Sequence, residues 1–140
     1  MEKKRILLVD DEEDLVKAVS FRLELEGYHV IEAGDGQAAL DKVESEHPDL
    51  IVLDLMLPKV NGYKVCGLLK SDARYKHIPI IMFTARAQDA DIKMSEEVGA
   101  DSYITKPFEP VVLMATIKDL LKMAAEPKDI NGESAVSKNS

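Results

Sequence analysis

The sequence predicts an α/β domain with a central parallel sheet and helices on both faces. Five short strand-like runs recur along the chain, and the first, third and fourth are continuously apolar rather than alternating, as strands buried on both faces require. Stretches with apolar residues at helical spacing lie between them, and glycine or proline marks most of the joins. Strand and helix therefore alternate, and no longer repeat competes with that reading.

Taken in order, Ile6-Leu7-Leu8-Val9 is the first strand, and the acids Asp10 to Asp14 follow at once. Leu15, Val16, Val19 and Leu23 carry a helix that Gly27 caps at its C-terminus. Tyr28 to Ala33 is a second strand, and Gly34-Asp35-Gly36 turns the chain into a helix from about Gln37 to Glu46. Its apolar side is Ala38, Ala39, Leu40 and Val43, and His47-Pro48 stops it. The third strand is Ile51-Val52-Leu53-Asp54-Leu55-Met56-Leu57, closed by Pro58. Asn61-Gly62 then leads into a helix through Val65, Leu68 and Leu69. His77 to Thr84 is the fourth strand, with Ala85 to Ala90 as the loop behind it. A helix from roughly Asp89 to Val98 ends at Gly99, and Asp101 to Thr105 is the fifth strand. Phe108-Glu109-Pro110 opens a last helix, with proline suited to the first turn and Val112, Ala115, Leu120, Leu121 and Met123 on the buried side.

Length and composition bound the function. The 140 residues are the size of one domain, expected over residues 1–126, and residues 127–140 read as a disordered tail or linker remnant. A formal charge of −8 repels nucleic-acid phosphate and anionic membranes, so neither is expected as a direct partner. The single cysteine, Cys66, permits no intrachain disulfide or cysteine-based zinc site and reads as a small buried hydrophobe. Neither a signal-peptide core nor a transmembrane run is visible, which predicts a soluble, cytoplasmic protein.

The chemistry gathers where a parallel sheet binds ligands, beyond the carboxyl ends of its strands. Asp10 and Asp11 follow the first strand, Asp54 lies on the third, Thr84 ends the fourth and Lys106 follows the fifth. An ionised aspartate on an apolar strand is costly unless it is paired, metal-bound or at the solvent-facing tip. Three neighbouring carboxylates raise one another's pKa, and a divalent cation relieves that repulsion most simply. Magnesium fits best, being hard and content with few carboxylates, and the backbone carbonyl of Met56 is a further candidate ligand. With charge neutralised by the metal and Lys106, a carboxylate can attack phosphorus and form an acyl phosphate. Asp54 takes that role because it stands alone on its strand, whereas Asp10 and Asp11 are adjacent on a loop suited to ion capture. Thr84 supplies a hydroxyl donor and Lys106 a point charge for the phosphoryl group.

Judged singly, each residue has a plainer explanation. Acids from Asp10 to Asp14 commonly open a helix against its macrodipole, and a lone aspartate, threonine or lysine commonly serves a turn or the surface. Coincidence at one edge favours the site. His29, His47 and His77 share no spacing and read as surface or capping residues, and Tyr103 as partly buried packing. Gly34-Asp35-Gly36-Gln37-Ala38-Ala39 matches a dinucleotide-binding G-x-G-x-x-A pattern, but it follows the second strand and carries an aspartate where pyrophosphate would approach. A turn with a helix cap explains it better. Two rivals remain at this point. A magnesium-dependent aspartyl phosphatase wants a second acid two residues after the nucleophile, where Met56 stands; a flavin-binding carrier wants a hydroxyl- and glycine-rich loop after the first strand, where the acids stand.

Residues 4–124 resemble a response-regulator receiver domain of two-component signalling. The resemblance rests on Ile6-Leu7-Leu8-Val9-Asp10-Asp11-Glu12, Leu53-Asp54-Leu55-Met56-Leu57-Pro58, Gly62, Thr84-Ala85, Gly99-Ala100-Asp101 and Lys106-Pro107-Phe108 in that order. It implies a doubly wound, flavodoxin-like (βα)5 fold of strand order 2-1-3-4-5 and a cis peptide at Lys106-Pro107. It further implies Asp10 and Asp11 as magnesium-binding acids, Asp54 as phosphoacceptor, Thr84 and Tyr103 as switch residues, and Lys106 as the phosphate-contacting lysine. The implied phosphoryl donor is a sensor histidine kinase or histidine phosphotransferase. Intrinsic self-phosphorylation and autodephosphorylation would make the chain a switch rather than a metabolic enzyme. The face of the fourth helix, fifth strand and fifth helix, with Lys93, Tyr103 and Lys118, is the expected surface for an effector or a homodimer.

Overall fold

The computed structural model describes residues 2–85 and 89–125, with the backbone alone over 89–92. The expected boundary at Glu126, the tail 127–140 and residues 86–88 of the expected loop Ala85–Ala90 lie outside the described residues, and residues 89 and 90 already belong to the fourth helix. Strands β1 (Arg5–Val9), β2 (His29–Ala33), β3 (Leu50–Asp54), β4 (Ile80–Thr84) and β5 (Ser102–Thr105) alternate with helices α1 (Glu13–Leu25), α2 (Gly36–Glu46), α3 (Gly62–Lys70), α4 (Asp89–Glu97) and α5 (Pro110–Ala125). The strands form one sheet in the order β2-β1-β3-β4-β5, every pair parallel.

The central strands are apolar along most of their length because their two faces enter two cores. Leu7 and Val9 of β1 join Ile51, Leu53 and Met82 beneath Val43 of α2 and Val65, Cys66 and Leu69 of α3. Ile6 and Leu8 point the other way, with Val52, Ile81 and Phe83, against Val16, Val19 and Leu23 of α1 and Leu113 and Ile117 of α5. Cys66 is buried as expected, and burial pushes its thiol up to about 11, far from a reactive thiolate.

Local chemistry sets the ends of the elements. Gly27 at φ 96° closes α1: its N–H donates to Glu24 and that of Tyr28 to Leu23, satisfying the last carbonyls. Gly99 at φ 89° closes α4 in the same way, through Glu96 and Ser95. Asp35 and Asn61 cap α2 and α3 by accepting from the N–H groups of Ala38 and Lys64. His47, exposed and left-handed at φ 50°, ends α2. The peptide Lys106-Pro107 is cis.

Some expectations shift. The third strand ends at Asp54 rather than running to Leu57, because the Met56 N–H turns back to the Asp54 carboxylate. The fourth starts at Ile80, since Pro79 offers no ladder N–H. On α5 the buried side is Leu113 and Ile117, with Leu120 and Leu121 partly covered; Val112, Ala115 and Met123 are exposed. That helix is apolar around most of its circumference, so periodicity alone leaves its phase open and docking on the sheet selects it. Leu68 is likewise exposed on α3, where Cys66 and Leu69 face the core.

Candidate functional site at the carboxyl edge

Strand register brings the site together. Val9 lies level with Leu53, so Asp10 and Asp54 leave their strands side by side. Asp54 is itself level with Phe83, and Thr84 with Thr105, which places Thr84 one step and Lys106 two steps further along the same edge. Backbone bonds extend the ladder past its strands, from Asp10 to the Ala33 carbonyl (3.1 Å), Leu55 to Phe83 (3.2 Å) and Lys106 to Thr84 (2.6 Å).

Asp10, Asp11 and Asp54 each offer a carboxylate oxygen within 4.8 Å of the others. Asp10 and Asp54 are buried and Asp11 is exposed, so the cluster opens to solvent on one side. Both Asp10 oxygens are engaged: Oδ1 accepts from the Glu12 N–H at 2.9 Å and Oδ2 from Lys106 Nζ at 2.6 Å. Asp54 is less well served, with the Met56 N–H at 3.3 Å and Lys106 Nζ at 3.8 Å. Desolvation first, and then the charge of Asp10, push its carboxyl up to about 6, against the opposing pull of Lys106 and the Met56 N–H. Burial would depress the Lys106 ammonium, but its hydrogen bonds to Asp10 and Glu12 and the charge of Asp54 leave it raised above the ordinary 10.5.

The residues singled out in the sequence thus converge. Thr84 is fully buried at the end of β4. The Met56 side chain is exposed, and its backbone adjoins Asp54 through the hydrogen bond just described. Tyr103 stands apart, half-buried on β5 and packed on the core beneath α2 and α3. Lys93 and Lys118 are exposed. Two participants were not legible as such. Glu12 pairs with Lys106 at 3.0 Å, its only sequence signal being a third acid after Asp10 and Asp11. Phe83 lies under the ammonium, 5.0 Å from ring centroid to Nζ, and packs edge-on against Phe108 at 4.7 Å.

The arrangement suits a hard divalent cation: three carboxylates converge, one of them reluctant to ionise without added positive charge. It does not suit an anionic nucleotide. The cleft of about 400 Å³ beside Asp10 and Asp11 also contains Glu13 and Glu32, with Lys17 as the one cationic side chain among its described lining residues. Gly36 of the G-x-G-x-x-A pattern is needed for a different reason. A Cβ there would collide with the Val60 carbonyl, because α2 starts hard against the loop that follows Asp54. The Gly36 N–H donates to the Pro58 carbonyl in that loop, at 3.2 Å. Among the described residues no helix is long and apolar enough to cross a membrane.

Comparison with known proteins agrees with this geometry. A family model described as the response regulator receiver domain matches residues 6–118. The alkaline phosphatase synthesis transcriptional regulatory protein PhoP of Bacillus subtilis is 48% identical over 119 residues, covering 85% of this chain and 49% of that protein. The DNA-binding response regulator MtrA of Mycolicibacterium paratuberculosis is 42% identical over 120 residues, covering 86% of this chain and 52% of that protein. The chain therefore spans about half the length of these relatives. A CheY-like response regulator receiver domain protein from Methanospirillum hungatei superposes with a TM-score of 0.83 at 32% identity, covering 88% of this chain and 97% of the other. With its five parallel strands in the order 2-1-3-4-5, its acidic carboxyl edge and these relatives, the chain belongs to the receiver domains of two-component response regulators, the family of phosphorylation-dependent signalling switches.

Proposed function

We propose that the chain is a cytoplasmic switch that takes a phosphoryl group on Asp54 from a sensor histidine kinase or histidine phosphotransferase. One observation carries the proposal: Asp54 is a buried carboxylate at the open end of the sheet, 3.8 Å from an ammonium and within 4.8 Å of two further acids. Asp10, Asp11, Asp54 and the Met56 carbonyl would hold Mg2+, which when bound supplies positive charge against the carboxylates and the phosphoryl oxygens. In the transfer, an Asp54 oxygen forms the new bond to phosphorus as the donor's bond to phosphorus breaks. The leaving imidazole, or acetate from a small donor, departs with the electron pair. Lys106 and the Thr84 hydroxyl contact the phosphoryl oxygens. The same residues support self-phosphorylation by small donors and, with water as acceptor, autodephosphorylation. Thr84 and Tyr103 act as switch residues and bias the α4–β5–α5 face, where Lys93 and Lys118 are exposed, toward an effector or a second copy of the chain.

Incubation with Mg2+ and acetyl phosphate, followed by intact-mass analysis, tests the reading. The wild type should gain one acid-labile phosphoryl group, and Asp54→Asn should not. An unmodified wild type, or an equally modified Asp54→Asn, refutes it. The phosphatase alternative is disfavoured by Met56, which leaves no acid two residues after Asp54.

A further inference from the structure

We infer that Glu12 is a positioning residue that holds the Lys106 ammonium away from Asp54 in the unphosphorylated protein; this rests on Asp54 being the phosphoacceptor. Lys106 Nζ has three protons and lies among three carboxylates at unequal distances: Asp10 at 2.6 Å, Glu12 at 3.0 Å and Asp54 at 3.8 Å. Two of these contacts are hydrogen bonds, and the one to Asp54 is too long to be one. The amine is therefore drawn to the β1–α1 loop and off the residue it must serve.

Glu12 occupies the N-cap position of α1, where a side chain commonly accepts from the helix's first N–H groups. It makes no such bond and reaches across to Lys106 instead, 94 residues away in sequence. The two anchors differ in kind. The Asp10 side chain is wholly buried, and separating it from Lys106 would strand a charge in the interior. The Glu12 side chain is 63% exposed, so water takes over its hydrogen bonds and the contact is weak. The amine can keep Asp10 as a pivot and exchange Glu12 for an oxygen of an incoming phosphoryl group. Glu12 is thus a releasable latch that slows phosphorylation until a phosphoryl group competes for the ammonium.

The test is the rate of phosphorylation of the full chain by acetyl phosphate at saturating Mg2+ and high salt, where long-range field effects are screened. Glu12→Gln removes the charge, whereas Glu12→Asp keeps it but is one methylene too short for the contact. Both should be phosphorylated about two- to fivefold faster than wild type, the range that an exposed ion pair commands. A gain in Glu12→Gln alone would show a charge effect without a latch, and any pattern other than a gain in both variants overturns the proposal. A wild type that takes no phosphoryl group on Asp54 overturns the phosphoacceptor reading, and the latch with it. A wild type that is modified, with variants no faster, overturns the latch alone.

Discussion

Replacing Asp54 by asparagine should stabilise the metal-free protein at neutral pH and not at acid pH. The Asp54 carboxyl is raised from 3.8 to about 6, chiefly by desolvation and by Asp10. At 1.36 kcal/mol per pKa unit, keeping it ionised in the folded state costs about 3 kcal/mol relative to the unfolded chain. The sign follows from the direction. Below about pH 3.8 the group is protonated in both states and nothing is lost; stability falls as pH rises between 3.8 and about 6; above that the full cost applies. Asparagine cannot ionise, is close in shape, and keeps an oxygen to accept the Met56 N–H. Asp54→Asn should therefore be more stable than wild type by about 1–3 kcal/mol at pH 8, the lower end allowing for relaxation around a charged group. The gain should shrink as pH falls, to about a third of its full value near pH 4.5 and toward zero below about pH 3.8. Urea unfolding in EDTA, followed by far-ultraviolet circular dichroism across this range, measures it directly. An asparagine variant no more stable than wild type at pH 8, or one whose advantage does not change with pH, would refute the argument that Asp54 is a strained buried carboxylate.

The same protonation competes with a cation. Mg2+ affinity, measured calorimetrically, should weaken as pH falls through about 6, and Asp54→Asn should bind weakly with a flatter pH dependence. Lys106→Met should destabilise the metal-free protein by about 3 kcal/mol in urea, because Asp10, whose side chain is fully buried, loses its cationic partner; millimolar Mg2+ should narrow that gap. Leu113→Ala should cost about 3 kcal/mol and Val112→Ala under about 1 kcal/mol, since Leu113 is fully buried and Val112 is 48% exposed; equal costs would mean that α5 docks in a different phase.

Much of the site was legible because each participant sits where a strand ends, and a run of apolar residues stopped by an acid, a hydroxyl or a lysine is a local pattern. Asp10, Asp11, Thr84 and Lys106 follow from that pattern plus the general rule for parallel sheets, and Asp54 from being the one carboxylate within its apolar strand. Glu12 was not, for its side chain is defined by a partner 94 residues away, and a third acid at a helix start looks like any other. Phe83 was read only as a strand residue, although its ring lies beneath the lysine. The glycine pattern at Gly34 to Ala39 resembles a phosphate loop in one dimension. Only the nearness of the Val60 carbonyl shows that Gly36 is there to let two backbones meet.

The sequence by itself determined the alternation of strand and helix, the helix stops at Gly27 and Gly99, and the acids and lysine at the carboxyl edge. These depend on periodicity, turn chemistry and residue type, all of which act over a few residues. Tertiary structure decided the phase of α5, the end of β3 at Asp54 and the sharing of Lys106 among Asp10, Glu12 and Asp54. An apolar helix can face a sheet in several ways until packing chooses one. A carboxylate's pKa and a lysine's partners depend on distances and desolvation that exist only once segments far apart in sequence have met.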